Sequence, residues 1–213
     1  MCAKQLRLLY EEMAGWMGDL DSSLETLEDV AEKYHDHLRK AQISLKEHRL
    51  LPKVKKGDRK VPISENLPVS VYFDGIRSAH NVGSMIRTAD AFRLGTLYFS
   101  PKTPFVDHKQ VKDTSMGAWV AVTCRKATTI EDLPRPWIVL EETSLSSPIG
   151  TFDFPSSFTL IVGNEEYGVS QTLLEQADAF VSIAMRGCKN SLNVANAFAI
   201  AASFIDQNLR NVP

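Results

Sequence analysis

Apolar residues in the first quarter of the chain recur at alternating steps of three and four. Leu24, Leu27, Ala31, Tyr34, Leu38, Ala41 and Leu45 fall on one stripe of a helix of about six turns, with charges over the rest of its surface. Ser22 and Glu25 precede it at capping-box spacing. Leu6, Leu9, Met13 and Trp16 mark an earlier helix that ends near Gly18. Two helices cannot bury both stripes alone, so this piece is expected to pack on the main domain or on a second subunit. His35 and His37 fall on different helix faces and read as surface residues rather than a metal pair.

From about residue 66 the pattern changes. Short β-branched or aromatic runs at Val69–Phe73, Leu97–Ser100, Trp119–Thr123, Trp137–Glu141, Thr159–Gly163 and Ala179–Ala184 read as strands. Helical stretches fall between them, at 82–92, 105–116, 170–177 and 191–209. Strands alternating with helices predict an α/β fold, a parallel sheet flanked by helices. The division is a helical extension with a basic linker over 1–62 and an α/β domain over 66–213. In such a sheet, ligands bind beyond the carboxyl ends of the strands.

The 213 residues are 44% hydrophobic with a net charge of −2, which excludes a disordered chain. The longest apolar stretch is interrupted by Asn193 and Asn196, too early for a membrane span. The first residues, MCAKQLRLLYEE, lack the basic-then-apolar pattern of a secretory signal. Cys2, Cys124 and Cys188 are odd in number and far apart, so neither a disulfide framework nor a cysteine metal site is expected. These features together predict a cytoplasmic protein. The net charge argues against a nucleic-acid partner until it is partitioned. Residues 1–38 balance to −6, residues 39–60 to +7 and the remainder to −3. The densest basic run, Lys53, Lys55, Lys56, Arg59 and Lys60, lies between Pro52 and Pro62. It is either a solvated linker or a contact surface for backbone phosphates.

Neither a GxGxxG nor a GxxxxGK[ST] signature is present, so no dinucleotide fingerprint or P-loop is available. Three polar clusters sit at strand ends instead. The first holds Asn81 and Arg87, six residues apart and rotated by about 120° on a helix, so the two can flank a site without touching. The second is Gly163-Asn-Glu-Glu-Tyr-Gly-Val-Ser170, in which two glycines permit close backbone approach and Ser170 can cap a helix. The third is Met185-Arg-Gly-Cys-Lys-Asn-Ser-Leu-Asn-Val194, with Ser191 placed to cap the last helix. Taken singly, each cluster also reads as ordinary caps and turns.

In this order and spacing the clusters resemble the three signature motifs of the SpoU (TrmH-like) branch of the SPOUT RNA methyltransferases, over about residues 68–208. Asn81 with Arg87 matches the first, Gly163-Asn164-Glu165 with Gly168 the second, and Met185, Gly187 and Ser191-Leu-Asn-Val194 the third. Ser115-Met-Gly-Ala118 is similar to the family's intervening segment. The resemblance implies an α/β domain with a C-terminal deep trefoil knot and a normally homodimeric assembly. It implies S-adenosylmethionine as cofactor, at Gly163, Ile183 and Leu192, with Met185 and Gly187 shaping the loop. The implied reaction is methyl transfer to a ribose 2′-hydroxyl of tRNA or rRNA. The implied catalytic set is Arg87, Asn81, Glu165, Ser191 and Asn193. Arg87 would contact the phosphate beside the target ribose, and Glu165 would orient Arg87 or accept a proton. The basic run from Lys53 to Lys60 would add RNA contacts, and no metal is required. Ala184 and Asn196 depart from the common pattern. Two rival functions are a knotted RNA-binding or assembly protein without turnover, and a methyltransferase acting on a base.

Overall fold

The computed structural model describes residues 66–127 and 129–210, with helical positions at 8, 10–12, 15, 29–30, 33–34 and 36–37. The basic run at 53–60 and all of the Leu24–Leu45 stripe except Tyr34 lie outside the described residues. The chain divides into two compact units, Met1–Pro62 and Ile63–Pro213. In the first, Tyr10 and His37 are buried with ring centroids 5.9 Å apart. His37 is therefore not the surface histidine expected. Val30 and His37, both buried, are seven residues apart and so share a face with half-buried Tyr34.

The second unit carries seven strands. They are β1 (Val69–Phe73), β2 (Leu97–Phe99), β3 (Cys124–Lys126), β4 (Trp137–Leu140), β5 (Ser147–Pro148), β6 (Phe158–Val162) and β7 (Ala179–Ser182). Its helices are α1 (Ala79–Phe92), α2 (Lys109–Ser115), α3 (Gln171–Gln176) and α4 (Val194–Arg210). The strand order is β3-β2-β1-β6-β4-β7-β5, and every pairing is parallel. The chain winds outward from β1 to β3, then crosses to the other side, so β1 and β6 form the centre, in register from Val69↔Phe158 to Phe73↔Val162.

Period-two alternation sorts the side chains of the central strands. Val71 and Phe73 of β1, Leu160 and Val162 of β6 and Ile138 of β4 enter one core with residues of α1 and α4. Tyr72, Ile161, Trp137 and Val139 enter a second core with Val169 and Leu173. Burial on both faces explains why β1, β4 and β6 read as continuous apolar runs rather than alternating ones.

Two elements differ from the sequence expectation. Trp119–Thr123 is not a strand: Ala118–Val120 forms a turn of 3-10 helix, and the edge strand β3 begins at Cys124. Met116 and Gly117 take positive φ, which ends α2 and starts this tight turn, and Val120 points to solvent. The two-residue strand β5, paired with β7, carries no periodic signal because it is too short to have one. Among the described residues no helix is long and apolar enough to cross a membrane.

Candidate active site

Two loops at the carboxyl ends of β1 and β6 are fastened to one another. Asn164 and Gly168 exchange backbone hydrogen bonds of 2.9 and 3.0 Å, closing the turn after β6. Inside it, Asn164 Oδ1 accepts from the N–H groups of Glu166 and Tyr167, and Asn164 Nδ2 donates to the Gly75 carbonyl at 2.6 Å. Asp74 accepts from the Ser170 N–H at 2.7 Å, and Arg77 pairs with Glu166. Gly163 is required by space: a Cβ there would lie 2.3 Å from the Gly168 carbonyl carbon.

The start of α1 completes the rim. Ser78 is its N-cap, and its side chain accepts from the Asn81 N–H. Asn81 is thus the third helical residue rather than the cap. The Glu165 carboxylate accepts from the backbone N–H of Arg77 at 2.8 Å and of Ser78 at 3.1 Å, and from Asn81 Nδ2 at 2.9 Å. It therefore sits where helix N–H groups and the macrodipole favour an anion. Burial alone would raise its pKa, but the Arg77 N–H, the Asn81 side chain and the Ser78 N–H outweigh this and hold it below the ordinary value. Asn81 turns its other amide atom to the third motif: Asn193 Nδ2 donates to Asn81 Oδ1 at 3.2 Å. Asn193 Oδ1 in turn accepts from the Ala195 and Asn196 N–H groups at 3.0 and 3.3 Å. Asn193, not Ser191, is therefore the side-chain cap of α4. One chain of hydrogen bonds, Glu165 to Asn81 to Asn193, ties the three motifs together.

Beside this chain a cleft of about 440 Å³ opens at the carboxyl ends of β4, β6 and β7. Gly163, Ile183, Met185 and Leu192, expected at a cofactor site, line it, as do Glu165 and Ser191. Gly187, Asn81, Asn193 and Arg87 are not among its lining residues. Sequence reasoning missed Glu141 and Glu142, which enter from the end of β4. Their only signal is a pair of carboxylates directly after an apolar strand, where an α/β sheet places ligand contacts. Arg87 is exposed on α1, and its Nη1 lies 3.0 Å from Met116 Sδ. The hydrogen bonds of Glu165 run to the start of α1 rather than to Arg87. Among the described residues no cluster of His, Cys, Asp or Glu is arranged to hold a metal.

An all-parallel sheet flanked by helices, with a partly apolar cleft at its strand ends, places this unit among the α/β domains whose ligands lie at that edge of the sheet. Residues 68–203 match the model of the SpoU rRNA Methylase family, and the chain belongs to that family. A Staphylococcus saprophyticus protein, described as a TrmH family tRNA/rRNA methyltransferase, is 29% identical over 142 residues, 64% of this chain. This chain spans 57% of that relative's length. The A. aeolicus TrmH/SpoU tRNA modifying enzyme has a similar structure, at TM-score 0.60 and 25% identity, covering 68% of this chain and 77% of that one. The SpoU methyltransferase AviRb from Streptomyces viridochromogenes, in complex with AdoMet, shares the fold at TM-score 0.61 and 24% identity, over 83% of this chain and 72% of that one.

Proposed function

We propose that the chain transfers a methyl group from S-adenosylmethionine to a ribose 2′-hydroxyl of tRNA or rRNA, acting as a homodimer in the cytoplasm. The observation that carries the reading is the joining of three sequence-distant motifs by Glu165, Asn81 and Asn193 beside a cleft of ligand size. The cleft suits the cofactor chemically. Gly163 brings backbone close, Ile183, Leu192 and Met185 supply apolar surface for an adenine, and Glu141, Glu142 and Glu165 favour a cation such as a sulfonium. When bound, the cofactor supplies an already activated methyl group.

The roles of the chain's own groups follow from their chemistry. A guanidinium presents planar, charged donors that match phosphate oxygens, so Arg87 serves as a phosphate and charge contact beside the target ribose. Glu165, with its pKa held low and its oxygens engaged by three donors, serves as an anchor for α1 rather than as the proton acceptor. Asn81 and Asn193 hold the motifs in register, and Ser191 offers a hydroxyl to the cleft. The trefoil knot belongs to this reading. So does RNA contact by Lys53, Lys55, Lys56, Arg59 and Lys60.

The test is transfer of labelled methyl from S-adenosylmethionine to tRNA and to rRNA, followed by nuclease digestion and mass spectrometry of the nucleosides. Methylated sugar is expected. Methylated base moves the reaction to the nucleobase, and failure to bind the cofactor in calorimetry leaves an RNA-binding protein without turnover.

A further inference from the structure

A second hollow lies on the same carboxyl edge of the sheet, on the other side of β1. It measures about 340 Å³ and is lined by Ser100, Thr103, Phe105, Asp107, His108 and Lys126, with Pro101 and Pro104. Its floor is tied together by hydrogen bonds. Ser100 Oγ pairs with Thr103 Oγ1 at 2.9 Å, and Thr103 Oγ1 donates to the Phe73 carbonyl at 2.9 Å. Ser100 Oγ also accepts from the Gly75 N–H at 2.8 Å. The Gly75 carbonyl accepts from Asn164 in the loop beside the first cleft. One residue of backbone therefore connects the walls of the two depressions.

The chemistry of this hollow differs from that of the first. The Lys126 ammonium stands 4.9 Å from the centroid of the Phe105 ring and 3.8 Å from Asp107 Oδ2. Both charged side chains are mostly exposed, and an ion pair of that kind is weak enough for a phosphate to replace the carboxylate. The stretch of chain that supplies the hollow is basic in sum, although Arg93 itself lies at the opposite, amino-terminal edge of the sheet. Residues 93–127 carry Arg93, Lys102, Lys109, Lys112, Arg125 and Lys126 against Asp107 and Asp113, a balance of +4. Lys112 repeats the cation-over-ring arrangement on Trp119, at 5.0 Å. Basic side chains interleaved with aromatic rings suit single-stranded nucleic acid, where bases stack and phosphates pair.

We propose that this hollow takes a nucleotide of the RNA flanking the one that is modified, its base against Phe105 and the prolines and its phosphate on Lys126. The proposal rests on the RNA-methyltransferase reading above. A charged edge strand also discourages strand-to-strand association, and that role would require nothing of Phe105.

The test uses the full chain with unfractionated tRNA and with a mixed-sequence single-stranded ribo-oligonucleotide, in filter binding across a potassium chloride series. Lys126→Gln is expected to weaken binding about fivefold and to reduce the salt slope by about 0.7, the loss of one phosphate contact. Lys126→Arg is expected to restore both. Phe105→Leu, which keeps an apolar side chain on the core, is expected to weaken binding severalfold with an unchanged salt slope. Cofactor affinity should match wild type in all three, and the melting temperature should match in the Lys126 variants and fall slightly in Phe105→Leu, which loses the edge-to-face contact with Phe99. Unchanged RNA affinity and slope in both Lys126→Gln and Phe105→Leu would overturn the assignment. Methyl transfer by those variants with an unchanged KM for RNA would do the same while leaving the general reading intact.

Discussion

The two sides of the sheet handle charge in opposite ways. On the β4–β7 side, residues 129–210 carry ten carboxylates against four basic side chains, a balance of −6, whereas residues 93–127 on the β2–β3 side balance to +4. At the rim of the acidic side, polar groups are committed to one another: Glu165 to the start of α1, Asn81 to Glu165 and Asn193, Asn164 to its own turn and to Gly75. On the basic side Lys102, Lys109, Arg125 and Lys126 face solvent. Committed groups suit a small, cationic ligand held in one place. Solvent-facing cations suit a long polyanion whose contacts are made and released together. The consequence is testable, because substitutions at the rim should change stability and cofactor binding together, and substitutions among the exposed cations should change neither.

Arg87 gives the largest expected effect and the sharpest separation. It is exposed and stands outside both the hydrogen-bond chain and the cleft lining. Arg87→Ala is expected to lower methyl transfer by about a hundredfold or more, as for loss of a charge-stabilising donor. Cofactor affinity by calorimetry and melting temperature should stay at wild-type values. Full activity would remove Arg87 from the site.

Gly163→Ala probes the opposite side. The added methyl carbon would lie 2.3 Å from Gly168 backbone, which neither strand β6 nor the bridged turn can yield cheaply. Overpacking of this kind costs about 1–3 kcal/mol, so thermal denaturation should show a lower midpoint, and calorimetry a cofactor affinity reduced at least tenfold. A variant that melts lower but binds the cofactor normally would break the link between the turn and the cleft.

Asn193→Ala is a smaller perturbation of the same side. Removing the cap of α4 should cost about 1 kcal/mol, and it also releases Asn81 from the third motif. The double variant with Asn81→Ala should destabilise by less than the sum of the two singles, since both remove the same hydrogen bond. Additive effects in chemical denaturation would mean that the Asn81–Asn193 contact carries no coupling.

These contrasts also mark what the sequence made legible. The α/β class and the central strands were legible in the apolar runs at 69–73, 137–141 and 159–163, whereas the order of the strands in the sheet was not, because pairing across the sheet leaves no local mark. Asn81, Glu165 and Asn193 were visible as motif residues, but their mutual contacts were not, since they depend on partners 84 and 112 positions away. The cap of α4 was misplaced at Ser191 because two candidate capping residues stand two apart and only the backbone path decides between them. Glu141 and Glu142 carried only the signal of two carboxylates after an apolar strand, and that signal does not mark which strand end faces the cleft. The basic side was hidden for a different reason: averaging residues 61–213 to −3 cancelled it against the acidic side, just as the whole-chain value had hidden residues 39–60.

Glu165→Gln tests the acidic rim most finely, through pH. The native carboxyl has its pKa below the ordinary value near 4.5, because burial is outweighed by the N–H groups of Arg77 and Ser78 and the side chain of Asn81. In the unfolded chain those donors are gone and the ordinary value returns. Between the two values the unfolded state binds more protons than the native state, so stability rises with pH through that window. The contribution is fully present above the unfolded value and is lost as pH falls through the native one. Glutamine keeps an oxygen acceptor but has no charge to lose. The melting temperature of wild type should therefore exceed that of Glu165→Gln at pH 7, and the gap should close as pH is lowered through and below the ordinary glutamate range. A gap that stays constant over that range would mean that the carboxylate is not held as an anion by the start of α1, and that the rim is joined by shape and neutral hydrogen bonds alone.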